Sequence, residues 1–482
     1  MIELSGMTRR PHPHWVRLVA WLALACTAAA QSAEFKRKHA EARVGLIKAQ
    51  LVLAEWCNSK ELFLERDLAF QRVLTIDPDN LDARKGLRFA RNPDGSWKPP
   101  PPREAKNRSA KALEAFPAQR SKSVASFRDA MLAALELENG DPIARSLAFD
   151  DVLLFDPDDA RVHELLCEVK ADGKWVLGDT ANAKLRRGEI KALVQASRAA
   201  IDEPDAIAAT ADEAALLDSW TCGLRGPGLR VLSTSDAVDC RAVYDACHAI
   251  QQLVDKMFEV EAKLPDDYGI YVLPNPGEKD TFVDRLSGLK PDERAYLKTL
   301  TSTSVHNGAH VVVWDPDPKI RLDNAVRHTL NLLLQNAFSA SPQHGWVWDG
   351  LGLYMSRELT GTRLTWFTTK PPSADVTDVA LRGVLATSDT NWMNEALKIL
   401  DADGPPRLTA LLARSVDELS AADMVVLYAF SAYLLEARAD KAAHFLRRTC
   451  AGESPTELVQ TILGLTSDEL QARVLRWLKE RK

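Results

Sequence analysis

The feature that most constrains this fold is an internal duplication near the N-terminus. Residues 69–80 read AFQRVLTIDPDN, and residues 148–159 read AFDDVLLFDPDD. In both copies the apolar residues have helical spacing, and the proline stops the helix because it lacks a backbone donor. Each copy predicts a short second helix and then a turn containing Trp97 or Trp175. A helical hairpin of this size cannot bury its apolar face alone, so the two copies are expected to stack.

The duplicated string resembles the second helix and the inter-repeat turn of tetratricopeptide-like repeats. The resemblance implies a duplicated helical repeat array over residues 33–215, with a surface for a protein or peptide partner. Between the copies, residues 98–103 read KPPPPR, a run that predicts an extended spacer. A ligand for a proline-recognition module is the alternative for this run.

The N-terminal residues have the order of a secretory signal peptide. Basic residues precede the apolar run 18–26, and small residues follow it. Residues 1–32 are therefore predicted to be a signal peptide, which implies a periplasmic, envelope or secreted protein. The run is too short to span a bilayer, so no transmembrane span is expected after its removal. Cys26 leaves lipid anchoring as an alternative.

Length and charge set further limits on the chain. A chain of 482 residues is too long for one hydrophobic core, so several domains are expected. The net charge is -6, with no long basic run, which argues against a nucleic-acid partner. The remaining six cysteines form no CxxC pair, and most are expected to be buried free thiols.

From Trp220 onward the sequence pattern changes from helical to mixed. Strands are predicted at 229–235 and 268–273, and a hairpin at 303–314 with its turn at Asn307-Gly308. Long helices are predicted between these strands and after the hairpin, at 239–263 and 323–337. The fold class is therefore mainly α with an α+β domain: a helical repeat array, an α+β domain at 216–385 and a helical C-terminal subdomain at 386–482.

The second half of the chain resembles the gluzincin-type, peptidase MA-like metallopeptidases. The stretches that carry the resemblance are residues 219–234, 311–314, 324–334 (NAVRHTLNLLL), 345–354 (GWVWDGLGLY), 429–435 and 462–470. The family's active helix holds zinc with two histidines of an HExxH motif, and the Glu between them takes a proton from the zinc-bound water.

The resemblance assigns a role to four positions. His328 aligns with the first zinc-binding histidine, and Asp349 aligns with the third ligand. Thr329 stands where the catalytic base belongs, and Leu332 stands where the second histidine belongs. A hydroxyl cannot replace the carboxylate base, and a leucine cannot bind metal. His328 and Asp349 are thus the only remnants of a metal site.

Three alternatives remain for the histidines. His306 and His310 have the spacing of a helical zinc pair, but the turn between them favours a hairpin. His344 is a further candidate ligand beside His328 and Asp349. In the simplest alternative, His328 hydrogen-bonds to Asp349 and braces two helices.

These residues predict an exported, catalytically inactive metallopeptidase-like binding or scaffold protein with no expected cofactor. Its partner is expected to be a protein or peptide, bound by the repeats or the vestigial cleft. The alternative is a zinc-dependent peptidase or another hydrolase with an altered metal site.

Overall fold

The computed structural model describes residues 33–101, 105–135, 142–171, 173–266, 268–300, 303–307, 310–367, 376–385 and 390–481. The predicted signal peptide, Cys26, the end of the proline run and Gly308 of the predicted turn lie outside the described residues.

The fold is mainly helical with a smaller α+β part, which confirms the predicted fold class. The described residues divide into two compact units, one that ends at Glu168 and one that begins at Val169. The helix Gly178–Ala199, which the sequence analysis assigned to the repeats, packs against helices of the second unit.

The first unit is built almost entirely of helices. In chain order its elements are α1 Ala33–Ser59, α2 Phe63–Ile76, α3 Leu81–Gly86, β1 Ala90–Arg91, β2 Trp97–Lys98, α4 Ala110–Leu135, α5 Pro142–Phe155 and α6 Ala160–Leu165.

Both copies of the duplicated string fold into the same order of elements. A helix ends at the Asp-Pro pair, a short helix follows, and a two-stranded hairpin carries the tryptophan. The short helices have matching caps: Asn80 Oδ1 accepts from the Ala83 amide at 3.1 Å, and Asp159 Oδ1 from the Val162 amide at 3.0 Å. The sequence pattern predicts one helix over residues 81–91, but α3 ends at Gly86 and β1 follows at Ala90. A stacked repeat array stays a prediction.

The second unit contains the strands β3 Glu168–Ala171 (from the unit boundary), β4 Lys174–Leu177, β5 Asp205–Ala206, β6 Cys222–Gly226, β7 Leu229–Ser233, β8 Gly269–Leu273, β9 Thr303–Asn307 and β10 His310–Trp314. Its helices are α7 Gly178–Ala199, α8 Ala211–Leu216, α9 Ala237–Phe258, α10 Pro276–Arg285, α11 Pro291–Thr299, α12 Pro318–Phe338, a π-helix Trp346–Leu351, α13 Gly352–Thr360, α14 Val376–Leu385, α15 Trp392–Leu400, α16 Leu408–Leu412, a 3₁₀ turn Val416–Glu418, α17 Ala421–Ala437, α18 Ala439–Cys450, α19 Pro455–Leu458, a π-helix Val459–Leu463 and α20 Ser467–Glu480.

Six strands of the second unit form one mixed sheet in the order β5-β6-β7-β8-β10-β9. The central strands β7, β8 and β10 are parallel, and β6 and β9 flank them in the antiparallel sense. All residues of β7 and β8 are buried. The sequence of β8 is apolar throughout, as expected for a parallel strand that is covered on both faces, whereas β7 also buries Arg230 and Ser233. The predicted strands and the hairpin are confirmed, whereas α10, α11 and β5 were missed.

One large core joins the sheet to the helices of the second unit. Helices α9 and α12 pack on each other and on the sheet, and α17 packs against the π-helix 346–351 and α15. Almost every residue of α17 is buried, because this helix is apolar on all sides and has neighbours on all sides. None of the described helices is both long enough and apolar enough to cross a membrane.

Candidate functional site

Helix α12 carries the residues that the sequence analysis singled out. Asp317 caps it by accepting from the Lys319 amide at 2.8 Å, and Pro318 occupies its first turn. The helix ends where Ser339 adopts a left-handed conformation, with φ 62°. Its central residues are buried, since the helix lies between the sheet, α9 and α13.

The π-helix 346–351 and the start of α13 approach their neighbours closely at Gly350 and Gly352. A Cβ on Gly350 would lie 2.9 Å from the carbonyl oxygen of Leu427, and a Cβ on Gly352 would lie 1.4 Å from Arg327 Nη1. Any side chain at Gly352 would therefore displace the Arg327 guanidinium. The π-helix that contains Gly350 also carries Asp349.

Asp349 forms an ion pair with Arg327, a residue that the sequence analysis did not single out. Arg327 Nη2 donates to Asp349 Oδ1 at 2.6 Å and to the Trp348 carbonyl at 2.9 Å. Both side chains of the pair are fully buried. The Phe367 amide also donates to Asp349 Oδ1, at 3.3 Å, and the guanidinium lies over the Phe367 ring at 5.1 Å.

The electrostatics of this pair follow from its burial. Loss of solvent raises the pKa of the Asp349 carboxyl and lowers the pKa of the Arg327 guanidinium, and each charge opposes the shift of the other. An arginine keeps its proton in a protein, so Arg327 is a fixed cation beside Asp349.

His328 is directed to a different partner. Its Nε2 hydrogen-bonds with Ser304 Oγ on β9, and its ring meets the Phe367 ring edge-on at 4.7 Å. Asp349 Oδ1 is bonded to Arg327 and Phe367, and Asp349 Oδ2 has no hydrogen-bond partner among the described residues. The alternative in which His328 hydrogen-bonds to Asp349 is therefore wrong.

The other two positions of the motif belong to the core. Thr329 is fully buried, its Oγ1 donates to the Ala325 carbonyl at 2.9 Å, and it lies 3.2 Å from the Tyr268 hydroxyl. Leu332 packs against the large core of the second unit. Neither side chain offers a base or a metal ligand.

The remaining histidine candidates lie in separate surroundings. His344 Nδ1 accepts from the amide of Ser341 at 3.2 Å, and burial lowers its pKa. His306 and His310 lie on the paired strands β9 and β10, as the predicted turn requires, and not on a helix. The His310 ring lies 5.1 Å from the Tyr271 ring.

Zinc does not fit the residues that the resemblance assigned to it. A cation near Asp349 would have to displace or face the guanidinium of Arg327, and Leu332 supplies no donor atom. Among the described residues, no three His, Cys, Asp or Glu side chains come together in a way that could hold a metal ion.

Comparison with protein-family models, with curated proteins and with solved structures found no match to this chain.

Proposed function

We propose that this chain is a non-catalytic binding protein whose second unit is a degenerate metallopeptidase-like domain. The proposal includes export through the N-terminal segment and a protein or peptide as the partner. The N-terminal helices would present a second surface for the same or another partner.

The observation that carries the proposal is the ion pair between Arg327 and Asp349. A metallopeptidase of the gluzincin type uses a free carboxylate as its third zinc ligand and a second carboxylate as its base. Here the first of these is neutralised by a buried cation at 2.6 Å, and Thr329 at the second position is bonded within the core. These contacts argue for a scaffold that binds without cleaving.

The edge of the sheet favours an extended peptide as the ligand. In the described part of the chain, β9 has β10 as its one hydrogen-bonded neighbour. An edge strand presents backbone donors and acceptors that an extended peptide can pair with. Ser304 and His328 would lie beside such a peptide on the side of α12.

Metal analysis tests the non-catalytic part of the proposal. The purified full chain would be titrated with zinc by calorimetry, beside His328→Ala and Asp349→Asn, and each would be assayed against a mixed peptide library by mass spectrometry. We expect no stoichiometric zinc and no cleavage. The protein would be a peptidase if the native chain bound one zinc ion and cleaved peptides, and if His328→Ala or Asp349→Asn abolished the zinc binding.

Peptide binding is tested with the same library by affinity selection on the full chain. Selected peptides should lose at least about tenfold in affinity with Ser304→Arg, which places a bulky charge beside β9. Val238→Arg is the matched control, because Val238 is exposed on α9. The absence of any selected peptide, or equal binding by both variants, would contradict the proposed ligand.

A further inference from the structure

A cavity of about 540 Å³ lies among α7, α13, α15 and α17 of the second unit. This volume is in the range of sites for small molecules. The residues that line it are mostly polar or charged and include two aromatic residues: Lys191, Arg357, Glu358, Arg363, Thr390, Asn391, Trp392, Met393 and Tyr428.

Arg363 is the most deeply buried cation in this lining. The residue is 7% exposed, and its guanidinium lies 4.8 Å from the Trp392 ring and 5.6 Å from the Tyr428 ring. Nη2 donates to the Thr390 carbonyl, whereas Nε has no acceptor among the described residues. The rings thus hold the guanidinium in place but do not neutralise its charge.

No carboxylate among the described residues forms an ion pair with Arg363. Asp323 contributes a favourable field to Arg363, but its oxygens accept from the Thr362 hydroxyl at 2.7 Å and from the amides of Leu364 and Thr365 at 2.9 and 2.7 Å. A buried charge without a contacting counter-ion is unfavourable unless another anion supplies the contact.

The charged groups that line the cavity sum to a net positive charge. Besides Arg363, Lys191 and Arg357 add two cations and Glu358 adds one anion. Helix α15 begins at the cavity, with Asn391 as its N-cap. The N-terminal end of a helix carries partial positive charge, which also favours an anion.

We propose that this cavity binds a small organic anion through its carboxylate or phosphate group. Arg363 and Arg357 would pair with the anionic group, and the side chains of Trp392 and Met393 would contact the rest of the molecule. Planar guanidinium groups suit both anions, because each can accept two parallel hydrogen bonds. This site is separate from the Arg327–Asp349 pair and does not depend on the proposed peptide binding.

Calorimetric titration of the full chain at low salt tests the site with defined probes. Phenyl phosphate and benzoate provide the two anionic groups, and benzyl alcohol provides the same ring without charge. We expect one of the anions to bind with a Kd below about 1 mM and benzyl alcohol to bind at least about tenfold more weakly. Tighter binding of phenyl phosphate would identify the ligand class as a phosphate ester, and tighter binding of benzoate as a carboxylate.

Variants separate this site from general attraction of anions to the surface. Arg357→Gln should raise the Kd of the tighter probe at least about tenfold, and Arg407→Gln, an exposed arginine outside the cavity, should change it less than about twofold. Arg363→Gln should abolish binding of the tighter probe if this variant folds. If it does not fold, Arg357→Gln still tests the site, because Arg357 is partly exposed. The proposal would be overturned if neither anion bound or if benzyl alcohol bound equally well. It would also be overturned if Arg357→Gln and Arg407→Gln had equal effects.

Discussion

Two buried arginines of the second unit have opposite electrostatic surroundings. Arg327 and Arg363 both lie against aromatic rings, and both are almost completely removed from solvent. Arg327 is in contact with the carboxylate of Asp349. Asp323, the carboxylate whose field acts on Arg363, instead accepts hydrogen bonds from Thr362, Leu364 and Thr365. Burial alone therefore does not define the role of an arginine: removing Arg327 would leave a buried carboxylate without its counter-ion, whereas the lack of a contacting carboxylate at Arg363 supports the proposed anion site.

The largest effect is expected from removing the paired arginine. Arg327→Met leaves Asp349 buried without its counter-ion, so we expect the free energy of unfolding to fall by about 3–5 kcal/mol. Urea unfolding of the full chain measures this loss. The deficit should shrink at acidic pH, because protonation removes the uncompensated charge of Asp349; a deficit independent of pH would contradict this cause.

The next largest effect is expected at Gly352. Gly352→Ala would place a Cβ 1.4 Å from Arg327 Nη1 and displace the guanidinium from Asp349, at a cost of about 3 kcal/mol. The matched control is Gly383→Ala, since Gly383 lies in α14 with open space around its Cα. That control should stabilise the chain slightly, by about 0.5–1 kcal/mol. Thermal unfolding distinguishes the two, and equal effects would show that Gly352 makes no close approach to Arg327.

A third buried charge, Glu436, provides an intermediate case. Glu436 Oε1 accepts from the Tyr354 hydroxyl at 3.1 Å and from Arg481 Nη2 at 2.7 Å, yet burial raises the pKa of this carboxyl to about 7. Because this pKa is raised in the folded protein, its contribution to stability is fully present below about pH 4.5 and is lost as the pH rises through about 7.

Glu436→Gln should therefore flatten the pH dependence of stability. Between about pH 5 and pH 8, the free energy of unfolding of the native chain should fall by about 2 kcal/mol more than that of the variant. Glu189→Gln is the control, because the Glu189 side chain is exposed and should leave the slope unchanged. Parallel stability curves for the native chain and Glu436→Gln would refute the raised pKa.

The smallest effect on stability is expected at Arg363. Arg363→Met keeps an apolar chain between Trp392 and Tyr428 and leaves no carboxylate without its contact, so the change in free energy should be within about 1 kcal/mol. Urea unfolding beside Arg327→Met makes the comparison direct. A loss at Arg363 as large as that at Arg327 would remove the distinction between a structural and a ligand-binding arginine.

Much of the fold could be read from local sequence signals. The strands β7, β8 and β10 are rich in apolar residues, and α9 and α12 have clear helical spacing, so these strands and helices were predicted. Helices α10 and α11 were missed because their sequences are largely polar and bury few residues. Strand β5 has two residues and depends on its pairing with β6, which no local pattern encodes.

The site was harder to predict than the fold. The resemblance pointed to His328 and Asp349 as candidate ligands, but it could not show that each has a different partner. An arginine in a helix is usually exposed, and Arg327 is buried because Gly352 leaves room for it. A glycine pair beside an acidic residue, here Gly350 and Gly352 beside Asp349, was the available signal.

A double-mutant cycle on Arg327 and Asp349 tests the central claim most directly. Urea unfolding would be measured for the native chain, Arg327→Met, Asp349→Asn and the double variant. The double variant removes both buried charges, so neither is left without its counter-ion. Its loss of stability should therefore be at least about 2 kcal/mol smaller than the sum of the two single losses. Additive losses would show that Arg327 does not neutralise Asp349 and that this carboxylate is available for another ligand.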